Sequence, residues 1–279
     1  MIASSVLITG GTGSFGRAFT ARLLKDGIAE RICIYSRGEH MQAQMRDDFN
    51  DDIRLRWFIG DVRDRDRLRR AMEGVEIVIH AAALKRIEVG HYSPDELCKT
   101  NINGSLNVIE AAAQAGVSKV LLTSTDKAYA PCSPYGFSKA MAESLFINAN
   151  NLYGAHGPRY IVVRYGNIWR ANGSVVPRWE ALKKAGKTKV QCTDPGCTRF
   201  FMTIDHAVDF VLDNLDNPPA KIAVPILPAY KLGDLAEAME VDLDITGLPP
   251  WEKLHESMEH DNCSRDARRM SVAELQLAL

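Results

Sequence analysis

Residues 124–139 read STDKAYAPCSPYGFSK, and several of them have side chains suited to moving protons at an alcohol. Tyr135 and Lys139 stand four apart, so on a helix they share one face. A free phenol, with a pKa of about 10, is a poor base at neutral pH. A neighbouring ammonium and a positive nicotinamide ring favour the phenolate, which would take the proton of an alcohol being oxidised. Taken alone, Tyr-x-x-x-Lys reads as easily as a helix surface. Thr125, Asp126 and Lys127 precede it at the end of an apolar run and add an acid and an amine. Oxidation at carbon 4 of a sugar makes the carbon 5 proton acidic. Lys127 would take that proton if burial and nearby cations lower its pKa, and Asp126 would act at the carbon 6 hydroxyl, which leaves once protonated. The plain alternative is an Asp–Lys pair capping the next helix.

A nicotinamide needs a dinucleotide site, and the chain opens with VLITGGTGSFGRAF. Gly10, Gly13 and Gly16, with Thr12, Ser14 and Phe15 between them, follow a strand-like run and lead into a helical one. Such glycines let the backbone approach a pyrophosphate, and the helix N-terminus offers it free N–H groups. A tight turn without a ligand is the bland reading. The second strand ends in Ser36 and Arg37, where NAD sites usually carry Asp or Glu; a hydroxyl and a cation suit a 2′-phosphate, so NADP is favoured over NAD. Asp61 and Val62, closing the third strand, would meet the adenine. Ala81, Ala82 and Ala83, closing the fourth, offer small side chains where the backbone passes the cofactor.

These residues need a scaffold. Apolar runs at 6–9, 32–36, 56–62, 76–83, 119–124 and 160–166 alternate with helical patterns at 15–26, 40–49, 64–73, 103–115 and 136–152. Continuous apolar strands between helices indicate an α/β fold, a doubly wound parallel Rossmann sheet. Beyond 167 the chain becomes turn-rich, with a helix at 205–215 and a short strand at 222–227. We expect residues 1–167 and 204–228 to form the nucleotide-binding domain. Residues 168–203 and 229–279 would form a small C-terminal substrate lobe over the sheet's carboxyl edge.

Composition narrows the classes. The 279 residues are 46% hydrophobic, with 34 Lys+Arg against 35 Asp+Glu, so no basic footprint for nucleic acid exists. The run RDRDRLRR at 63–70 reads as a solvated helix face. The N-terminus is unlike a signal peptide, and no apolar run reaches membrane-spanning length. A cytoplasmic protein without a membrane partner is expected. Six cysteines show no metal spacing, so no metal is expected and the thiols are read as reduced. Cys132 is given no role. His80 reads as a satisfied core residue, Met41 and Met45 as packing, and Trp251 as a filler of space.

The chain resembles the extended short-chain dehydrogenase/reductase family. More narrowly, it is similar to the inverting UDP-N-acetylglucosamine 4,6-dehydratases. The likeness rests on TGGTGSFG, YSR, FIGDVRDRDRL, HAAALKRIEVGHYSPDELCKTNINGSLNVIEAA, STDKA, YGFSKAMAE, VVRYGNI, GSVVP, TRFFMT and EKLHE. The triplet TDK is the sharpest of these, because retaining dehydratases typically carry Asp-Glu and epimerases lack the acid/base pair. The resemblance implies that Thr125, Asp126, Lys127, Tyr135 and Lys139 are catalytic. It implies that Lys85, Asn167, Val176, Thr193, Arg199 and Glu256 line a UDP-sugar pocket, and that the protein is a homo-oligomer. The implied reaction oxidises carbon 4, removes water across carbons 5 and 6, and returns hydride to carbon 6 with inversion at carbon 5. Three departures stand out. Pro249-Pro250-Trp251 replaces Arg-Pro-Gly before EKLHE, removing an arginine expected near the diphosphate. Residues 129–136 depart from A-x-P-x-N-L-Y-G. A family segment after EKLHESM is skipped, and the chain resumes at SRDARRM. A 4-epimerase, a dehydratase of another hexose and an NADP-binding regulator remain the alternatives.

Overall fold

In a computed structural model that describes residues 3–219 and 221–279, the alternating runs become a parallel sheet. Met1, Ile2 and Ala220, assigned above to the nucleotide-binding domain, lie outside the described residues. The strands are β1 (Ala3–Thr9), β2 (Ala29–Ser36), β3 (Leu55–Ile59), β4 (Ile77–His80), β5 (Lys119–Thr125), β6 (Arg159–Tyr165) and, near the end, β9 (Ile222–Ala223). They pair in the order β3-β2-β1-β4-β5-β6-β9, all parallel, which is the doubly wound arrangement expected.

Successive side chains of a strand point to opposite faces, and both faces here are apolar. Val6, Ile8, Ile32, Ile34, Ile77, Ile79, Leu121, Ile161 and Val163 share one core. It is covered by α1 (Ser14–Lys25), α2 (Glu39–Asp48) and α9 (Ile204–Asp213). Leu7, Cys33, Tyr35, Val78, Val120, Leu122, Tyr160 and Val162 share the other. That face is covered by α3 (Arg65–Met72), α6 (Gly104–Ala115) and α7 (Pro134–Tyr153). Two short helices, α4 (Ile87–Tyr92) and α5 (Pro94–Leu97), and a π-helical turn at Cys98–Asn103 lead into α6.

A third core joins α8 (Val175–Lys184), β7 (Lys189–Cys192), β10 (Ala229–Lys231), α10 (Leu232–Ala238), β11 (Asp242–Ile245) and α11 (Val272–Ala278) through Val176, Trp179, Val190, Tyr230, Leu235, Leu243 and Leu275. Strand β8 (Thr198–Phe200) pairs antiparallel with β10 and sends Phe200 into the first core. A hairpin of β12 (Ser257–Glu259) and β13 (Asn262–Cys263) completes this part of the chain. No helix among the described residues is long and apolar enough to cross a membrane.

Several expected boundaries move. The third and fourth strands stop at Ile59 and His80, so Asp61, Val62 and Ala81–Ala83 lie in loops beyond the strand ends. Gly60 explains the first case: a Cβ there would lie 2.4 Å from the Tyr35 ring, and Asp61 then accepts the Arg63 amide in a tight turn. The strand expected at 222–227 pairs only over Ile222–Ala223, because Pro225 has no amide to donate. The run 63–70 forms α3 with Asp64 capping the Arg67 amide and Leu68 buried. Trp251 does not fill the interior. It is 42% exposed and lies against His91, with ring centroids 4.5 Å apart and the ring planes tilted by 58°.

His80 is 1% exposed and joins two parts of the molecule. The Ala82 amide donates to Thr9 Oγ1, which lies 2.7 Å from His80 Nδ1. His80 Nε2 meets Ser105 Oγ at 3.3 Å, and Ser105 donates to the Asn101 carbonyl. The Asn101 amide donates to Ser138 Oγ on α7. Burial, with Lys139 adding to it, pulls the His80 pKa down to about 3. Above about 6.5 the ring is neutral both folded and unfolded. Below that pH only the unfolded chain takes the proton, so stability falls as pH drops from about 6.5 towards about 3. Urea unfolding across this window will show the parent protein losing about 1.4 kcal/mol per pH unit more than His80→Gln.

Candidate active site

The carboxyl ends of the central strands open into one cavity of about 800 Å³. Gly10, residues 12–16, Ser36, Arg37, Asp61, Val62, residues 81–83, Tyr135 and Lys139 all line it, together with Lys85 and Asn167. The glycine turn is as close-packed as a dinucleotide cradle requires. Gly10 adopts φ +69°, and a Cβ there would meet the Ala82 backbone at 2.9 Å. A Cβ on Gly16 would lie 2.5 Å from the Gly11 carbonyl. Helix α1 begins directly after Gly13, with no side chain capping its first amides. These residues fit a pyrophosphate at a helix N-terminus.

Tyr135 and Lys139 lie one turn apart on α7, whose start is fixed by Pro134 in its first turn and by Ser133 capping the Gly136 amide at 3.1 Å. Lys139 Nζ donates to the Thr123 carbonyl at 2.9 Å. Because Ser133 caps this helix, Asp126 and Lys127 are not its caps. They form a short 3-10 turn after β5, and α7 lies so close that a Gly136 Cβ would meet the Lys127 carbonyl at 2.5 Å. Thr125 donates to Asp126 Oδ1 at 3.0 Å and is within hydrogen-bond reach of the Tyr135 phenol.

Lys127 Nζ stands 3.2 Å from Asp126 Oδ1, 3.1 Å from Glu256 Oε1 and 3.4 Å from Asn167 Oδ1. Lys253 approaches Glu256 Oε2 at 3.5 Å and donates to the Tyr129 carbonyl. Glu256 thus reaches the triplet from a segment about 130 positions away in the chain. Two charge expectations are overturned. Burial opposes the Lys127 ammonium, but Asp126 and Glu256 overcome it and hold its pKa above the ordinary lysine range rather than below. Burial pushes the Tyr135 phenol up to about 12, with Lys127 and Thr125 pulling the other way. Burial also raises the Asp126 pKa and brings Lys139 down to about 8, the latter against the pull of Glu143. Glu256 is held below its usual range: burial opposes this, but Lys127, Arg199 and Lys253 prevail.

Three buried oxygens, Ser124 Oγ, Asp126 Oδ2 and Glu256 Oε2, have no hydrogen-bond partner among the described residues. A buried polar atom left so calls for a partner, and hydroxyls of a bound molecule would supply one. Asp126, Lys127 and Glu256 lie behind the cavity wall rather than on it, and the remaining expected pocket residues also sit apart from it. Arg199 gives its guanidinium to Glu252 (2.5 Å) and to the Thr198 and Leu254 carbonyls. Val176 is buried in the third core, and Thr193 lies against Cys197. The cavity also takes in residues not singled out above: Tyr35, Gly38, Gly60, Thr100, Thr123, Tyr165, Gly166, Ile168 and Ala171. Tyr165 and Gly166 adjoin Asn167 at a strand end, a signal the sequence did contain. Met41, expected only to pack, is 45% exposed on the cavity wall, while Met45, one turn on, is fully buried. Among the described residues no cluster of His, Cys, Asp and Glu is arranged to hold a metal ion.

Glu256→Gln removes one of the two carboxylates that stabilise the Lys127 ammonium, so the Lys127 pKa falls by about 1–3 units. The pH midpoint for acylation of Lys127 by an amine-reactive reagent, followed by peptide mass spectrometry, will move down accordingly.

Comparison with known proteins accords with this geometry. The chain is 44% identical over 257 residues to a Campylobacter jejuni protein named UDP-N-acetylglucosamine 4,6-dehydratase (inverting), covering 91% of this chain and 77% of that one. It is 39% identical over 264 residues to a Rickettsia rickettsii protein named UDP-glucose 4-epimerase, covering 91% and 77%. The crystal structure of Pen from Bacillus thuringiensis superposes with a TM-score of 0.92 at 30% identity, covering 99% of this chain and 98% of that one. The family model described as polysaccharide biosynthesis protein matches residues 6–274, and the chain belongs to that family.

Proposed function

We propose that the chain is an NADP-dependent UDP-N-acetylglucosamine 4,6-dehydratase that inverts carbon 5. The observation that carries this reading is the buried cluster of Asp126, Lys127 and Glu256 beside Tyr135 and Lys139. An epimerase needs a single proton-transfer group next to its cofactor, whereas elimination needs an acid and a base in addition. A bound nicotinamide supplies a hydride acceptor for carbon 4 and, later, the hydride for carbon 6.

The chain's own residues handle the protons. Tyr135 takes the proton of the carbon 4 hydroxyl. Burial pushes it to about 12, so the positive charge of Lys139, Lys127 and the oxidised ring must favour its ionised form. Lys127 begins as an ammonium. Transfer of one proton across the 3.2 Å to Asp126 produces an amine and a carboxylic acid, and burial favours that neutral pair. The amine then takes the carbon 5 proton while the acid protonates the departing carbon 6 hydroxyl. Water leaves, and the ion pair is restored. As hydride reaches carbon 6, carbon 5 takes up one proton on the opposite face, which balances the proton that Tyr135 gained and must release before the next turnover. Thr125, touching both Tyr135 and Asp126, connects the oxidising and eliminating groups.

NADP rather than NAD is part of this reading. It is supported by Arg37, which lines the cavity beside Ser36 and lies 3.7 Å from Asp61 Oδ2, a carboxylate held more closely by Arg63 at 2.8 Å. We further assign residues 168–203 and 229–279 to a substrate lobe, supported by the third core, whose members lie within those ranges. Lys85, Asn167, Val176, Thr193, Arg199 and Glu256 would form or support its sugar pocket. The reading also takes the protein to be a cytoplasmic homo-oligomer, and the exposed Phe137 and Met141 of α7 support the assembly.

The deciding measurement is proton NMR of the protein with UDP-N-acetylglucosamine and catalytic NADP+ in D2O. The reading requires a new 6-deoxy methyl signal, deuterium at carbon 5 and L-arabino couplings. A carbon 4 epimer without the methyl would establish the second reading, which the Rickettsia relative favours. Asp126→Asn will slow methyl formation about 10²–10⁴-fold. Arg37→Ala will weaken NADP+ binding at least about tenfold in calorimetry while leaving NAD+ unchanged.

A further inference from the structure

Arg164 is a buried cation that the proton transfers above do not use. It lies in β6, one residue before Tyr165, and is 8% exposed. Its guanidinium makes a two-pronged ion pair with Glu143 of α7, with Nε 2.9 Å from Oε1 and Nη2 2.5 Å from Oε2. Nη1 donates to the Met258 carbonyl of β12. The Tyr129 ring lies against the same group, 5.7 Å from Cζ to the ring centre.

These partners belong to three separate segments, each carrying part of the acid–base cluster. Glu143 is one helical turn beyond Lys139 and two beyond Tyr135. Tyr129 follows directly on the turn that carries Asp126 and Lys127, and β12 packs against that turn. Met258 lies two residues beyond Glu256. A guanidinium suits this junction because its planar fork can satisfy a carboxylate with two donors and still offer a third to a carbonyl. An ammonium has no such fixed geometry.

We propose that Arg164 is a positioning residue which, anchored by Glu143, sets the Glu256 segment against Lys127 and thereby assembles the acid–base cluster. The placement stands on the contacts alone; its effect on turnover rests on the dehydratase reading. Removing Arg164 alone would strand a buried Glu143 carboxylate, so the test uses the double variant Glu143→Met/Arg164→Met, in which both charges are replaced by apolar groups. Arg164→Lys, which keeps the charge but loses the fork, and Tyr129→Leu, which keeps the ion pair, accompany it.

In the double variant, hydrogen exchange of amides 256–259 will rise at least about tenfold, while amides of β1 stay protected. The acylation midpoint of Lys127 will fall, as in Glu256→Gln, because Glu256 no longer faces it. Methyl formation will slow about 10–100-fold, with NADP+ affinity retained. Arg164→Lys will fall between parent and double variant on all three readouts, and Tyr129→Leu will show the smallest change. Parent-like exchange and a parent-like Lys127 midpoint in the folded double variant would overturn the proposal. If that variant does not fold, the same two readouts on Arg164→Lys decide. Absence of turnover in the unsubstituted protein would sink the dehydratase reading, whereas exchange and acylation judge the positioning role without any sugar.

Discussion

Parallel strands place their carboxyl ends on one side of the molecule, and this constraint governs where chemistry can occur. At those ends the backbone must leave the sheet, so loops, helix N-termini and unpaired polar groups gather there. The glycine turn after β1, Ser36 and Arg37 after β2, the alanines after β4, Thr125 at the end of β5 and Asn167 after β6 meet around one cavity for that reason. Burial on both faces makes the arrangement rigid. Val6 and Ile8 point into one core and Leu7 into the other, so a one-residue slip of β1 would drive each into the wrong core and break the packing of both.

The second organising element is electrostatic. Asp126, Lys127 and Glu256 lie in surroundings too poor in water to hold a lone charge at low cost. Each therefore depends on the others for its charge state. The lysine is held protonated by two carboxylates, one of which is itself raised by burial and the other kept ionised by Lys127, Arg199 and Lys253. In such a cluster a proton belongs to the group rather than to one residue, which suits a reaction that must give and take protons within one turnover.

Local spacing made much of this legible. Continuous apolar runs, the glycine triplet and the i, i+4 pair of Tyr135 and Lys139 are short-range patterns, and the structure holds each where its pattern implies. Position along α2 rather than helical phase separates Met41, in the first turn on the cavity wall, from Met45, one turn deeper in the core, a distinction that spacing alone cannot make. The charge states were not legible, because they depend on partners remote in sequence. Nothing near Lys127 announces Glu256, and nothing near Arg164 announces Glu143 or Met258. The ends of β3 and β4 were misplaced for a related reason. Apolar residues continue past them, but the Tyr35 ring beside Gly60 and the loop geometry beyond His80 end the pairing.

The buried chain running from Thr9 through His80, Ser105 and Asn101 to Ser138 links the strand that feeds the glycine turn to the helix that carries Tyr135. Each member both satisfies and is satisfied by its neighbours, so losing one leaves another buried and unpaired. Such positions are free to diverge only as a set. Among descendants of one ancestor they should change together or stay fixed together, even though they are scattered over about 130 residues of sequence.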